Sequence, residues 1–116
     1  MSKICVIMPV YNEDNRVLKL SIGSVLSQSH KDFVLIICRD GGNRMPLIEE
    51  LASSDSRIVY LDNDDNLGRG ANRTRALKLV PEDCDFMCWL DADDMILPGT
   101  LEYVDGHLNE NVDFLS

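Results

Sequence analysis

The chain has 116 residues, 45 % hydrophobic and 27 % charged: enough for one core, and far from the composition of a disordered or fibrous protein. Eleven Lys and Arg against twenty Asp and Glu leave a net charge of −9, which speaks against nucleic acid and anionic membrane as partners because both reward clustered cations. Apolar runs of seven and six residues, Ile4–Val10 and Phe33–Cys38, fall far short of the ~20 needed to span a bilayer, so no transmembrane segment is expected in this chain.

The run Ile4–Val10 reads as the first strand. It is apolar on both pleat faces, as is the second, Phe33–Cys38, and a strand tolerates this only when helices cover both sides of a parallel sheet. Between them a helix is expected over 14–28, capped by Asp14 and striped with Val17, Leu18, Val25 and Leu26. Pro46 suits the first turn of a second helix over 46–54. A third strand, Arg57–Leu61, leads to a third helix over 69–80. A fourth strand, Asp85–Leu90, carries the doubly apolar Phe86-Met87-Cys88-Trp89-Leu90, and Pro98 opens a fourth helix over 98–110. Val112–Ser116 resembles the start of another strand, so the chain is expected to be part of a larger unit. The alternation predicts an α/β fold, a three-layer α/β/α sandwich with a mostly parallel sheet. Cys5, Cys38, Cys84 and Cys88 lie in or beside apolar runs without a CxxC pair, which fits buried reduced thiols in a cytoplasmic protein.

In open α/β sheets ligands bind beyond the carboxyl ends of the strands, where loops and helix N-termini converge. The four segments that follow the strands are all polar. The sharpest is Asp91-Ala92-Asp93-Asp94, whose oxygen ligands suit a hard cation such as Mg²⁺ or Mn²⁺; a solvated acidic turn accounts for the same letters. Asp40 beside Gly41-Gly42 can accept a hydrogen bond from a ligand, although an Asp-Gly turn is also ordinary loop chemistry. Arg69 and Arg73 share a helix face that favours either a phosphate or pairing with Asp62, Asp64 and Asp65. Trp89 and Met87 read as core, His107 as solvated, and Cys88 lacks a base within sequence reach, so none is a candidate. Residues 79–116 hold ten acids and no Lys or Arg. Such a segment expects a cation or a further protein surface against it.

Taken together, Pro9-Val10-Tyr11-Asn12, Asp40-Gly41, Asn66-Leu67-Gly68 and Leu90-Asp91-Ala92-Asp93-Asp94 resemble the N-terminal, nucleotide-binding half of the family 2 glycosyltransferases, which have the GT-A fold. The resemblance implies that residues 1–116 form the nucleotide-sugar- and metal-binding part of such a domain. It makes Pro9, Tyr11, Asp40, Arg73 and Asp91 nucleotide-binding, with Tyr11 packed on the base, Asp40 holding it and Arg73 near it. Asp93, with Asp91, would ligate Mg²⁺ or Mn²⁺ bridging the donor's diphosphate, and Asp94 would support the loop.

The implied reaction moves a sugar from a nucleotide donor, a UDP-sugar before others, to an unidentified acceptor, with inversion. The catalytic base and the acceptor-binding half are expected beyond residue 116, because such domains run to about twice this length. The protein is then expected in the cytoplasm, at the inner face of the membrane through parts outside this chain, and able to dimerise through an exposed sheet edge. Two departures stand out: Arg39 where the family commonly has an acid, which puts a positive charge near the base site, and Arg73-Thr74 in place of Arg-Asn. Three alternatives share the architecture. One is a catalytically incomplete nucleotide-sugar-binding domain. Another is a receiver-like signalling module with Glu13-Asp14 as its acidic pair, which would need a Lys after Lys78. The last, a sugar-1-phosphate nucleotidyltransferase, would need glycines in the first loop.

Overall fold

The structure, a computed structural model, describes residues 3–63, 69–96, 99–101 and 103. Its elements run β1 (Ile4–Val10), α1 (Asn15–Leu26), β2 (Phe33–Asp40), α2 (Pro46–Ser54), β3 (Ile58–Asn63), α3 (Arg69–Leu77) and β4 (Phe86–Trp89). All strand pairs are parallel, in the order β3-β2-β1-β4. The chain builds outward from β1 to β3, then returns to the other side of β1 for β4. That reversal opens a crevice at the carboxyl ends of the strands.

Strand alternation explains why β1 and β2 are apolar throughout. Ile4, Val6, Met8 and Val10 of β1 and Leu35 and Ile37 of β2 pack with Leu18, Ile22 and Val25 of α1 and Ile48 of α2. Cys5, Ile7, Ile36 and Cys38 face the opposite side, with Ala76 of α3. Two cores on two faces make the expected α/β/α sandwich. All four cysteines are free thiols, three buried and Cys84 half-buried. Burial pushes the thiols of Cys5 and Cys38 up to about 12 and about 11.

Asp14 caps α1 as expected, in an extended conformation with its carboxylate accepting the Arg16 backbone N–H at 2.8 Å. Pro46 opens α2. Helix α3 ends at Leu77, three residues before the expected limit. Its last turn tightens, with Leu79 N–H on Ala76 O and Val80 N–H on Leu77 O, and Pro81 cannot continue it. Strand β2 runs two residues beyond its expected end, and β3 is shifted one residue later at its start and two at its end.

The fourth strand differs from its reading. It is shorter, and among the described residues it pairs only with β1, so Met87 is exposed and Phe86 and Trp89 are half-buried. Met87 is therefore not a core residue. Thr100, Leu101 and Tyr103 are helical, as expected there. Asp64, Asp65, Asn66-Leu67-Gly68, Pro98, His107 and Val112–Ser116 lie outside the described residues. No described helix is long and apolar enough to cross a membrane.

Ser24 of α1 and Gln28, two residues past the end of that helix, anchor the chain just past the acidic turn. Ser24 Oγ accepts from Ile96 N–H at 3.2 Å and donates to Ser21 O at 2.6 Å. The fully buried Gln28 accepts from Leu101 N–H at 3.0 Å through Oε1 and donates to Ser24 O through Nε2 at 2.8 Å. The start of the fourth helix is thereby fixed to the same core that carries β1.

Candidate functional site

Where β1 ends, the chain turns through Tyr11 and Asn12. The Tyr11 N–H donates to the Glu13 carboxylate. Asn12 adopts φ 55, a left-handed conformation that Asn tolerates better than most side chains, and its Oδ1 accepts the Asn43 N–H at 2.6 Å. The loop after β2 meets it there. Gly42 has φ +76, and a Cβ on it would lie 2.5 Å from Asn12 Oδ1 and 3.1 Å from the Tyr11 ring. Glycine is thus required both for conformation and for the close approach. Gly41 also has positive φ and donates to Asn63 O at 2.8 Å, extending the β2–β3 ladder into the loop.

Arg39 overturns an expectation. Its position on β2 follows Leu35 and Ile37, so its side chain enters the layer beneath α1 and α2, where it is 1 % exposed. There it forms an ion pair with Asp62, its register partner on β3, and donates through Nη1 to Gly41 O at 3.2 Å and Gly42 O at 3.0 Å. The positive charge is neutralised inside the fold instead of standing at the base site. Asp62 is accordingly engaged with Arg39. Asp40, one residue on, faces the α3 side with Ile36 and Cys38.

On α3, the Arg73 guanidinium stacks over the Trp89 ring, 4.7 Å from its centroid. Trp89, expected in the core, is half-buried on a strand that pairs only with β1 among the described residues, and its ring serves as the shelf for Arg73. Leu90 N–H donates to Ile7 O at 2.9 Å, holding the end of β4 against β1. The chain then turns, Asp94 N–H on Asp91 O at 3.0 Å.

In this turn carboxylate oxygens of Asp91, Asp93 and Asp94 all lie within 4.8 Å of one another. Desolvation, and then the charges of Asp93 and Asp91, hold the Asp94 carboxyl above its ordinary range. Its Oδ2 is buried with no hydrogen-bond partner among the described residues. Converging carboxylates and an orphaned oxygen are what a hard divalent cation would satisfy, so the donor set fits one. Asp94 belongs to this cluster and not merely to the loop beside it.

These pieces enclose a cleft of about 620 Å³. Pro9, Tyr11, Asp40, Arg73, Asp91 and Asp93, all singled out from the sequence, line it together, joined by Glu13 and Asn72. The receiver-like arrangement is not formed, since Asp14 is spent on capping α1 and Glu13 on the Tyr11 N–H. Asn12 and Asn72 escaped the sequence reading. A signal for Asn12 was available, because Asn is a turn residue that tolerates the left-handed conformation.

The chain matches the model of the family described as "Glycosyl transferase family 2" over residues 5–115. It is 38 % identical over 113 residues to an uncharacterized glycosyltransferase of Methanocaldococcus jannaschii, covering 95 % of this chain and 38 % of that protein. Among solved structures it resembles Staphylococcus aureus TarS, residues 1–349, in complex with UDP-GlcNAc (TM-score 0.78, 22 % identity, 92 % of this chain and 31 % of that one). It also resembles the mannosyltransferase PcManGT of Pyrobaculum calidifontis in complex with GDP-Man and Mn²⁺ (TM-score 0.78, 16 % identity, 92 % and 32 %). At these identities the structural likeness shows the fold, that of the GT-A glycosyltransferases. The chain spans about a third of the length of these proteins.

Proposed function

This chain belongs to glycosyl transferase family 2, and we propose that its cleft binds a nucleoside-diphosphate sugar whose glycosyl group the whole protein transfers to an acceptor. The observation that carries the reading is convergence: the turns after β1 and β4, the end of β2 and the middle of α3 bring one aromatic ring, one carboxylate, one guanidinium and an acidic cluster to a single cleft. A nucleoside diphosphate needs those four chemistries. The half-exposed Tyr11 ring, seated over Gly42, offers a stacking face for the base. Asp40, facing α3, accepts from a base N–H. Arg73, steadied by Trp89, sits beside them as a fixed cation.

Asp91, Asp93 and Asp94 would hold a divalent cation, Mg²⁺ or Mn²⁺. Bound there, it supplies charge neutralisation for the departing diphosphate. In the transfer the bond from the sugar's anomeric carbon to the diphosphate oxygen breaks, and a bond from that carbon to the acceptor oxygen forms. The acceptor's proton passes to a base. With inversion, that base lies on the face of the sugar opposite the diphosphate, and we assign it to protein outside residues 1–116. UDP is the proposed nucleotide, since Arg39 no longer disturbs the base site and a UDP-sugar occupies the structurally similar TarS.

Calorimetric titration of UDP-GlcNAc, UDP-glucose and GDP-mannose, each with Mn²⁺ and again with EDTA, tests the reading. It requires saturable binding of at least one donor that EDTA weakens strongly. Equal heats with and without metal would refute the metal-bridged diphosphate.

A further inference from the structure

Asn72 carries a feature that nucleotide binding by Tyr11, Asp40 and Arg73 leaves unused. It lies one turn before Ala76 on the buried face of α3, 5 % exposed against 1 % for Ala76. Its Oδ1 has no hydrogen-bond partner among the described residues. An oxygen so placed is destabilising, because burial strips its water without supplying a substitute. The same residue lines the cleft together with Asp40 and Arg73. The terminal torsion of Asn is broad and roughly two-fold, so the carbonyl oxygen is free to turn toward a ligand in the cleft.

We infer that Asn72 is a specificity-determining residue of the donor site, its amide carbonyl accepting a hydrogen bond from an N–H of the nucleotide base. The inference rests on the donor-site reading above and adds a residue to it. Asp40 is a carboxylate and accepts from any donor within reach. A neutral amide buried on the cleft wall is more selective, since a base that cannot supply the hydrogen leaves the oxygen stranded as before. Sites built this way reject the mismatched ligand far more strongly than an apolar wall does. The cost of burying an unpaired carbonyl oxygen in the free protein is then a consequence of holding it ready for the ligand.

The test compares this chain with its Asn72→Leu and Asn72→Ala variants, titrated with UDP, 2′-deoxy-UDP, CDP and GDP in Mn²⁺, and follows thermal unfolding of each without ligand. Asn72→Leu is expected to melt no lower than the parent, because an apolar group of similar volume replaces an amide whose buried oxygen is unsatisfied. Its preference for the best nucleotide over the worst is expected to shrink about tenfold, with affinity for the worst nearly unchanged. Undiminished preference in both variants would overturn the inference while leaving the donor site intact. So would a lower melting temperature in both variants, which would make the amide structural. An affinity loss seen with UDP but absent with 2′-deoxy-UDP would assign Asn72 to the ribose and overturn the base contact. If the parent chain binds none of the four nucleotides, the donor-site reading itself falls and takes this inference with it.

Discussion

Arg39 and Asp62 face each other across the β2–β3 register and form an ion pair beneath α1 and α2, the guanidinium also holding the carbonyls of Gly41 and Gly42. Through this pair the loop that presents Asp40 and supports Tyr11 is tied to the inside of the sheet. A charge that sequence comparison would assign to the ligand therefore belongs to the scaffold.

Breaking that pair is expected to destabilise the protein. Arg39→Met leaves Asp62 and two loop carbonyls without their partner, at a cost of about 2–4 kcal/mol, below the usual figure for a fully buried pair because Asp62 keeps some contact with water. Thermal unfolding would show a loss of roughly 8 to 16 degrees at this chain length. A change under two degrees would mean that the pair braces nothing.

Gly42→Ala should damage ligand binding as well as stability. The new methyl meets Asn12 Oδ1 at 2.5 Å in a backbone with φ +76, adding a steric clash to ~1–2 kcal/mol of conformational strain. Gly99→Ala is the control, since Gly99 has φ +88 but nothing within 4 Å of its added Cβ. Strain alone acts there, so binding should survive in Gly99→Ala and fall in Gly42→Ala when both are titrated with nucleotide.

Trp89→Leu should weaken nucleotide affinity without touching the ligand. Loss of the ring under Arg73 removes a contact worth ~0.5–2 kcal/mol, which corresponds to a several-fold weakening, and Trp89→Phe should restore part of it. If Trp89→Leu binds as tightly as the parent, the stacked geometry is not what holds Arg73 for its work.

The cap of α1 gives a pH signature. The backbone and side-chain hydrogen bonds from Arg16 hold the Asp14 carboxyl below its ordinary value. Its folded-state value is depressed, so its contribution to stability is present above the unfolded pKa, about 3.9, and is lost as pH falls through the lower folded value. Asp14→Ala should therefore melt lower than the parent at pH 7, with the gap narrowing once the pH drops below about 4. A gap independent of pH would remove the carboxylate from the cap.

Much of this was legible because period-2 alternation is a strong signal. The apolar faces of Ile4–Val10 and Phe33–Cys38 announced a sheet covered on both sides, and all six residues expected to bind nucleotide or metal line one cleft. Phe86–Trp89 differs from its reading because an apolar strand paired on one side has the same letters as one paired on both, and among the described residues this one pairs only with β1. The orientation of Arg39 was implicit in the alternation, since it must share the side of Leu35 and Ile37, but the presence of Asp62 to receive it depended on the β2–β3 register. Asn72 was invisible because its significance lies in a missing partner, which no spacing in a sequence displays.

The donor site itself is tested most directly by thermal unfolding of this chain with UDP, GDP, dTDP or CDP, each in Mn²⁺ and in EDTA, alongside Asp93→Asn. A nucleotide at ~100 times its dissociation constant adds ~2.7 kcal/mol and several degrees. A shift of that size with UDP, abolished by EDTA and by Asp93→Asn, is the predicted result. No shift with any nucleotide in Mn²⁺, or one that persists unchanged in EDTA and in Asp93→Asn, would contradict a donor site built on the acidic turn.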